Sequence, residues 1–218
     1  MMSEVPSSID PGAVPRVRPP DTVLNGVGIW RGWLDPQAQA TLVECLRGLV
    51  RAAPLVTPVT PGGRPMSVRM TAAGKFGWVS GPKGYGYATQ HPSGVPWPPI
   101  PASVTAVWES LSGCPRAPEC MLLNWYAEGA RMGLHQDRDE ADLSCPVVSI
   151  SLGDSALFRV GGTERRGSTA SLWLESGDVA VMGGASRLAY HGIDRVRHGS
   201  SRLLPGGGRI NLTLRVVT

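Results

Sequence analysis

Of the 21 basic side chains in this sequence only Lys75 and Lys83 are lysines, so nearly all of its positive charge is arginine. The surplus is small, a net charge of +4 with a pI near 9.1. It favours phosphates as partners, which guanidinium forks bind well, without identifying one. Long apolar runs are missing too. None approaches the roughly 20 residues that cross a bilayer, and the opening "MMSEVPSSIDPG" lacks the basic and apolar regions of a secretory signal. A cytoplasmic protein with no membrane partner is expected. Cysteine is scarce and its spacing uninformative: Cys45, Cys114, Cys120 and Cys145 form no CxxC pair, which argues against a zinc ribbon and leaves four reduced, buried thiols as the expectation.

Glycine and proline, by contrast, are abundant, at 28 and 20 residues. With 42% hydrophobic residues, this is the composition of a folded chain of short strands and tight turns. Residues 1–22 read as a flexible Pro-rich tail, and 23–218 suit one domain, expected to be monomeric. In "LDPQAQATLVECLRGLV" Asp35 stands at an N-cap position and Pro36 at the first helical position. Ala38, Leu42, Cys45 or Leu46, and Leu49 follow at helical spacing. A second helix is predicted over 102–111, with Val104, Val107, Trp108 and Leu111 on one face. Residues 57–101 are dense in Gly, Pro and aromatics, with one short strand-like piece at 66–71, and read as a recognition lid. From 121 to 218 short strands succeed one another: "MLLNWYA", "VVSISLG", "ALFRVGG", "SLWLESGDVAVMGG" and "RINLTLRVV". No helical crossover separates them, so the fold class is mostly β with flanking helices, around an antiparallel double-sheet jelly roll.

The chemistry is sought first in "GLHQDRDE". On an extended segment His135 and Asp137 point to the same side and can share an ion, although a solvated acidic loop would read the same way. A third ligand must come from elsewhere. His198 lies in the basic loop "RVRHGSSR" and His91 in the lid, whereas His191 in "GGASRLAYHGI" is read as following a short strand with an apolar side on Leu188 and Ala189, and it precedes a glycine. His135, Asp137 and His191 therefore form a two-histidine, one-carboxylate triad, an arrangement suited to ferrous iron with open positions.

In "RINLTLRV" Ile210, Leu212, Leu214 and Val216 alternate with Arg209, Asn211, Thr213 and Arg215. The polar face would face solvent in an ordinary strand. In a central strand its two arginines, about 20 Å apart at about 3.3 Å per residue, can bend inward on a short dicarboxylate. Asn124 and Tyr126 share a strand face and add neutral donors.

Together "LNWYAEGARMGLHQDRDE", "VVSISLG", "FRVGG", "GGASRLAYHGI" and "RINLTLR" resemble the AlkB family of iron(II)- and 2-oxoglutarate-dependent dioxygenases, bacterial type. The resemblance covers about residues 54–215 and includes the lid, where "VTPGG", "MSVRMT", "GWVS" and "GYGY" look like a nucleotide-recognition segment. It implies a double-stranded β-helix core, with iron on His135, Asp137 and His191 and 2-oxoglutarate held by Asn124, Tyr126, Arg209, Asn211 and Arg215. It also implies that Trp78 stacks on a flipped damaged base, that Tyr85 contacts a neighbouring phosphate, and that Asp139 and Arg165 lie near the base and its backbone. The implied activity is oxidative demethylation of bases such as N1-methyladenine and N3-methylcytosine in DNA, with RNA as a second substrate. Succinate, carbon dioxide and formaldehyde are released. The alternative is a 2-oxoglutarate-dependent hydroxylase of a protein or small molecule. One departure stands out: Met182 occupies a position where bacterial relatives carry an aromatic.

Overall fold

The computed structural model describes residues 18–81 and 84–218; residues 1–17 of the expected tail, and Lys83, lie outside them. The elements run β1 (Thr22–Leu24), β2 (Val27–Trp30), α1 (Pro36–Ala52), β3 (Val68–Gly74), β4 (Gly77–Gly81), β5 (Gly84–Ala88) and α2 (Ala102–Leu111). Eight further strands follow: β6 (Cys120–Tyr126), β7 (Met132–His135), β8 (Val147–Gly153), β9 (Ala156–Val160), β10 (Ala170–Leu174), β11 (Val179–Met182), β12 (His191–Val196) and β13 (Arg209–Arg215). A 3-10 turn, Gly184–Ser186, precedes β12.

A large sheet has the order β1-β2-β11-β8-β13-β6-β3, and a smaller one β10-β9-β12-β7. Their pairings are antiparallel. From β6 onward the chain alternates between the two sheets, except where the β9–β10 hairpin stays in the smaller one. That is the double-stranded β-helix expected, with β1, β2 and β3 extending one wall.

The helices cover the outer face of the large sheet. Asp35 caps α1 by accepting the Ala38 amide at 2.8 Å, and Pro36 occupies the first turn, where no amide partner is needed. Leu42, Val43, Leu46 and Leu49 of α1 join Val104, Val107, Trp108 and Leu111 of α2 in one apolar cluster with Ile150, Leu212 and Leu214 of the sheet. A second cluster, with Leu122, Phe158, Val160, Met182 and Ile193, lies between the sheets. All seven residues of β13 are consequently buried: its apolar face meets the helices and its polar face looks into the barrel, not into water.

Several expectations need correction. The piece at 66–71 is the start of β3, which pairs with β6 from Val68 opposite Tyr126 to Gly74 opposite Cys120, and so belongs to the large sheet. Its Ala and Thr residues carry no alternation because both faces are covered. The lid residues beyond it form the β4–β5 hairpin, with Trp78 opposite Tyr87. A side chain at Gly77 would collide with the ring of Trp97, so the hairpin can lie down there only on a glycine. Residues 18–22 of the expected tail are ordered against β2, with Arg18 donating to Asp21 at 2.9 Å and its carbonyl accepting from the Trp30 indole at 2.7 Å. The four thiols are free, but Cys45 is exposed and Cys114 half-buried; α1 turns Leu46 inward instead of Cys45.

The end of the chain is held by Glu119, which accepts the amides of Val217 and Thr218 at 2.9 and 2.8 Å. Burial alone would raise its pKa, but the amides of Thr218 and Val217 and the Thr218 hydroxyl outweigh this and bring it down from 4.5 to about 2. A carboxyl with a depressed folded pKa stabilises above its unfolded value, and that contribution is lost as pH falls through the folded one. Denaturant titrations between pH 4.5 and 2 should therefore show a shallower loss of stability for Glu119→Gln than for the wild type; identical slopes would refute the assignment. Leu212→Ala, removing a fully buried side chain beneath the helices, should cost about 2–5 kcal/mol in the same titration at neutral pH.

Candidate active site

His135 closes β7 and His191 opens β12, and the sheet register sets them directly opposite one another. Their rings lie 4.4 Å apart, centre to centre. The register slips between His191 and Ile193, and at the intervening Gly192 a Cβ would sit 2.5 Å from the Met132 carbonyl oxygen. Glycine lets the two histidine-bearing strands approach this closely. His191 thus begins a strand instead of following one; the 3-10 turn Gly184–Ser186 lies upstream, and Leu188 and Ala189 between them belong to no strand. Asp137 lies two residues past the end of β7, with Oδ1 3.6 Å from His135 Nε2 and Oδ2 3.8 Å from His191 Nε2. One ligand atom from each of the three residues falls within 4.8 Å of the others.

Both imidazoles are oriented by their own backbone. His135 Nδ1 sits 2.9 Å from the Gly133 carbonyl and His191 Nδ1 3.0 Å from that of Ala189. A carbonyl can only accept, so each Nδ1 carries a proton, and each Nε2 is the ring nitrogen turned toward Asp137. Burial, with help from His135, pushes His191 down to about 4 against the opposing pull of Asp137, so its ring is neutral at physiological pH. Burial would raise Asp137, but Arg215, His191, His135 and Arg187 outweigh it and hold the carboxyl well below the usual range. Two imidazole nitrogens and one carboxylate on one side of a cavity can hold a divalent ion with positions left open.

The aspartate is gripped from behind. Arg215 donates to its Oδ2 at 2.8 Å. Arg187, itself buried, donates to the Asp137 carbonyl at 2.5 Å and to Glu140 Oε2 at 3.1 Å. Tyr87, on the hairpin, donates to Glu140 Oε1 at 2.5 Å and accepts from Arg215 at 3.1 Å. None of Arg187, Glu140 and Tyr87 was singled out in the sequence: no spacing rule links positions 87, 140 and 187.

Beside the triad lies a cavity of about 380 Å³. Its inner wall is the polar face of β13 with the facing residues of β6 and β8, where Arg209 pairs with Tyr126 and Asn211 with both Asn124 and Ser151. Asn211 donates to Ser149 Oγ at 2.7 Å, and Arg209 Nη2 to Ser151 Oγ at 3.0 Å. The two serines were missed, although the alternation in "VVSISLG" puts them on one face. Burial leaves several polar atoms here without a partner: Arg209 Nε and Nη1, Arg215 Nε, Asn124 Oδ1 and Thr213 Oγ1. No carboxylate of the described residues pairs with Arg209, which rests its guanidinium 5.1 Å from the centre of the Tyr126 ring. Buried, unpaired guanidinium N–H groups are costly, and a carboxylate ligand would satisfy them. The donor set therefore fits iron(II) and 2-oxoglutarate.

At the mouth, Trp78, Tyr85, Asp139 and Arg165 border the same cavity. The Trp78 indole donates to Asp139 Oδ2 at 3.0 Å and stacks on Tyr85 with ring centres 5.2 Å apart. Arg165 is exposed on the β9–β10 loop. Met182 is buried in the cavity wall, filling the position where an aromatic was expected. His91 and His198 take no part: His91 bonds Ser93 and the Pro54 carbonyl, and His198 sits 3.7 Å from Asp154.

The 2OG-Fe(II) oxygenase superfamily model matches residues 26–215. An alpha-ketoglutarate-dependent dioxygenase AlkB homolog of Caulobacter vibrioides is 52% identical over 90% of both chains. The alpha-ketoglutarate-dependent dioxygenase AlkB of Escherichia coli K12 is 42% identical over 82% of this chain and 84% of its own. Among solved structures, OsALKBH1 superposes with a TM-score of 0.76 at 28% identity, covering 90% of this chain and 99% of that one.

Asp137→Ala should abolish stoichiometric binding of Fe(II), or of Mn(II) as an anaerobic substitute, in calorimetric titration. Trp78→Ala should bind the metal as the wild type does; loss of metal in that variant would mean that the tryptophan supports the centre itself.

Proposed function

Because this chain belongs to the AlkB family of iron(II)- and 2-oxoglutarate-dependent dioxygenases, we propose that it repairs nucleic acid directly, by oxidative demethylation of bases such as N1-methyladenine and N3-methylcytosine in DNA. RNA is a second substrate to be tested. The observation that carries this reading is that one cavity joins the metal triad, a buried arginine without an acidic partner, and an aromatic hairpin at its mouth. When bound, iron and 2-oxoglutarate supply dioxygen activation, with succinate and carbon dioxide as by-products and the methyl group leaving as formaldehyde.

The protein's residues bind, orient and exclude water. His135, Asp137 and His191 hold the metal. Arg209, deep in the barrel beside Tyr126 and Ser151, would take one carboxylate of the cosubstrate, and Arg215, already on Asp137 Oδ2, would take the other. Asn124 and Asn211 hold the chain between. Burial raises Tyr126 to about 12 despite the opposing pull of Arg209, so it stays a neutral phenol able to donate.

Trp78 stacks on the extruded base, Tyr85 reaches a neighbouring phosphate, and Asp139 and Arg165 contact the base and its backbone. A methyl group on the pairing edge weakens pairing, so such a base is extruded at lower cost than a sound one. These lesions carry positive charge, which the indole face and the Asp139 carboxylate both favour. The β4–β5 hairpin and the loops beside it act as the recognition lid, β3 within 57–101 being part of the large sheet. We place the enzyme in the cytoplasm, a reading its unpaired thiols support, and take it to act as a monomer. No helix among the described residues is long and apolar enough to cross a membrane.

A methylated oligonucleotide incubated with the Fe(II)-loaded enzyme and 2-oxoglutarate should release succinate and formaldehyde in equal amounts. Succinate without formaldehyde would point instead to another substrate. Arg209→Ala should raise KM for 2-oxoglutarate and leave that for the oligonucleotide, whereas Trp78→Ala should weaken oligonucleotide binding by about 1–3 kcal/mol and spare the cosubstrate.

A further inference from the structure

The outer face of the smaller sheet bears charges that the active site does not use. Arg195 and Arg197, both exposed at the end of β12, lie over the indole of Trp173 on β10, with guanidinium carbons 5.6 and 4.2 Å from the ring centre. Register explains the cluster: Leu157 of β9 pairs with Trp173 on one side and Arg195 on the other. Two acids of this region are engaged elsewhere. Asp194 receives Arg159 at 2.7 Å, and Asp178 receives Arg31 at 2.6 Å, the same arginine that donates to the Trp173 carbonyl. Neither Arg195 nor Arg197 has an acidic partner among the described residues. Such a cluster offers both fixed positive charge and an aromatic plane.

The same strands connect this face to the cavity. Val160 pairs with both His191 and Ala170, so the β9–β10 loop, with Arg165 and Arg166 exposed beside one acid, Glu164, leaves the sheet at the mouth. Four positions along β12 separate His191 from Arg195 and six separate it from Arg197, roughly 13 and 20 Å at about 3.3 Å per residue. At about 3.4 Å per stacked nucleotide, that is roughly four to six nucleotides.

We propose that this face, from Arg165 and Arg166 at the mouth to Arg195, Arg197 and Trp173, is a second contact surface for the nucleic-acid strand whose target base enters the cavity. It grips phosphates about four to six nucleotides from that base. The proposal rests on the nucleic-acid reading above and adds a prediction that reading does not make: affinity depends on strand length beyond the reach of the hairpin.

The test compares single-stranded oligonucleotides of three and fifteen nucleotides, each with one central N3-methylcytosine. Binding to the metal-loaded, full-length protein is measured by fluorescence anisotropy over a range of salt. The wild type should bind the longer strand more tightly. Arg195→Gln/Arg197→Gln should lose about tenfold on the longer strand and nothing on the trinucleotide, and the slope of log affinity against log salt should fall by about 1.4, or about 0.7 for each phosphate no longer neutralised. Arg195→Lys/Arg197→Lys keeps the charge and should restore the slope. If it behaves like the glutamine variant, the arginines only brace Trp173 and the proposal fails. Equal binding of the two lengths by the wild type and both variants also overturns it and leaves the patch to an acidic protein partner. Turnover of the trinucleotide is read separately: no formaldehyde from any of these proteins would count against demethylation, while the length and salt dependence would still decide the surface.

Discussion

The centre of this protein depends on the carboxylate of Asp137 staying ionised where little water reaches it. A buried carboxylate is unfavourable unless it is paired. Here Arg215 pairs with it directly and Arg187 holds its main-chain oxygen, while Glu140 balances the second guanidinium. Two acids and two arginines thus form a neutral group behind the two histidines. A divalent ion added in front of this group brings excess positive charge, as does Arg209 deeper in the barrel. A dianion between them is what the charge balance then favours, which makes metal and cosubstrate complementary occupants.

The same network reaches the substrate side. Tyr87 lies opposite Trp78 on the hairpin and bonds both Arg215 and Glu140. Burial raises its hydroxyl well above the ordinary tyrosine value, so it stays protonated and can donate to the glutamate while accepting from the arginine. The strand paired with that of Trp78 is therefore anchored to the arginine that grips Asp137. Packing and charge meet at one hydroxyl.

Much of this was legible in the residues, for identifiable reasons. Asp35 followed by Pro36 marks a helix start by local chemistry alone, and α1 begins there. The alternation along β13 was visible, but not which face was wet, because a strand covered on both sides keeps its alternation for reasons other than solvent. β7 and β12 were invisible as strands: they are short, contain glycine, and are joined through an irregular register. β3 was under-read because Thr71, Ala72 and Ala73 are all buried, Ala72 beside Trp97 and Ala73 with the helices, which leaves no polar alternation to read. The histidines and the aspartate could be nominated from residue type and spacing. The group supporting them could not, since Tyr87, Glu140 and Arg187 meet only through tertiary structure.

The pairing of His135 with His191 across two strands has a consequence for how the protein is made. A nascent chain that has emerged only as far as Asp137 already contains two of the three ligands, yet it has no pocket, because the third imidazole and the strand bearing it are still to be synthesised. Contacts so distant along the chain close late in folding. Discrimination among cellular metals therefore falls to the finished barrel, whose rigid walls fix the coordination geometry, and not to the growing polypeptide.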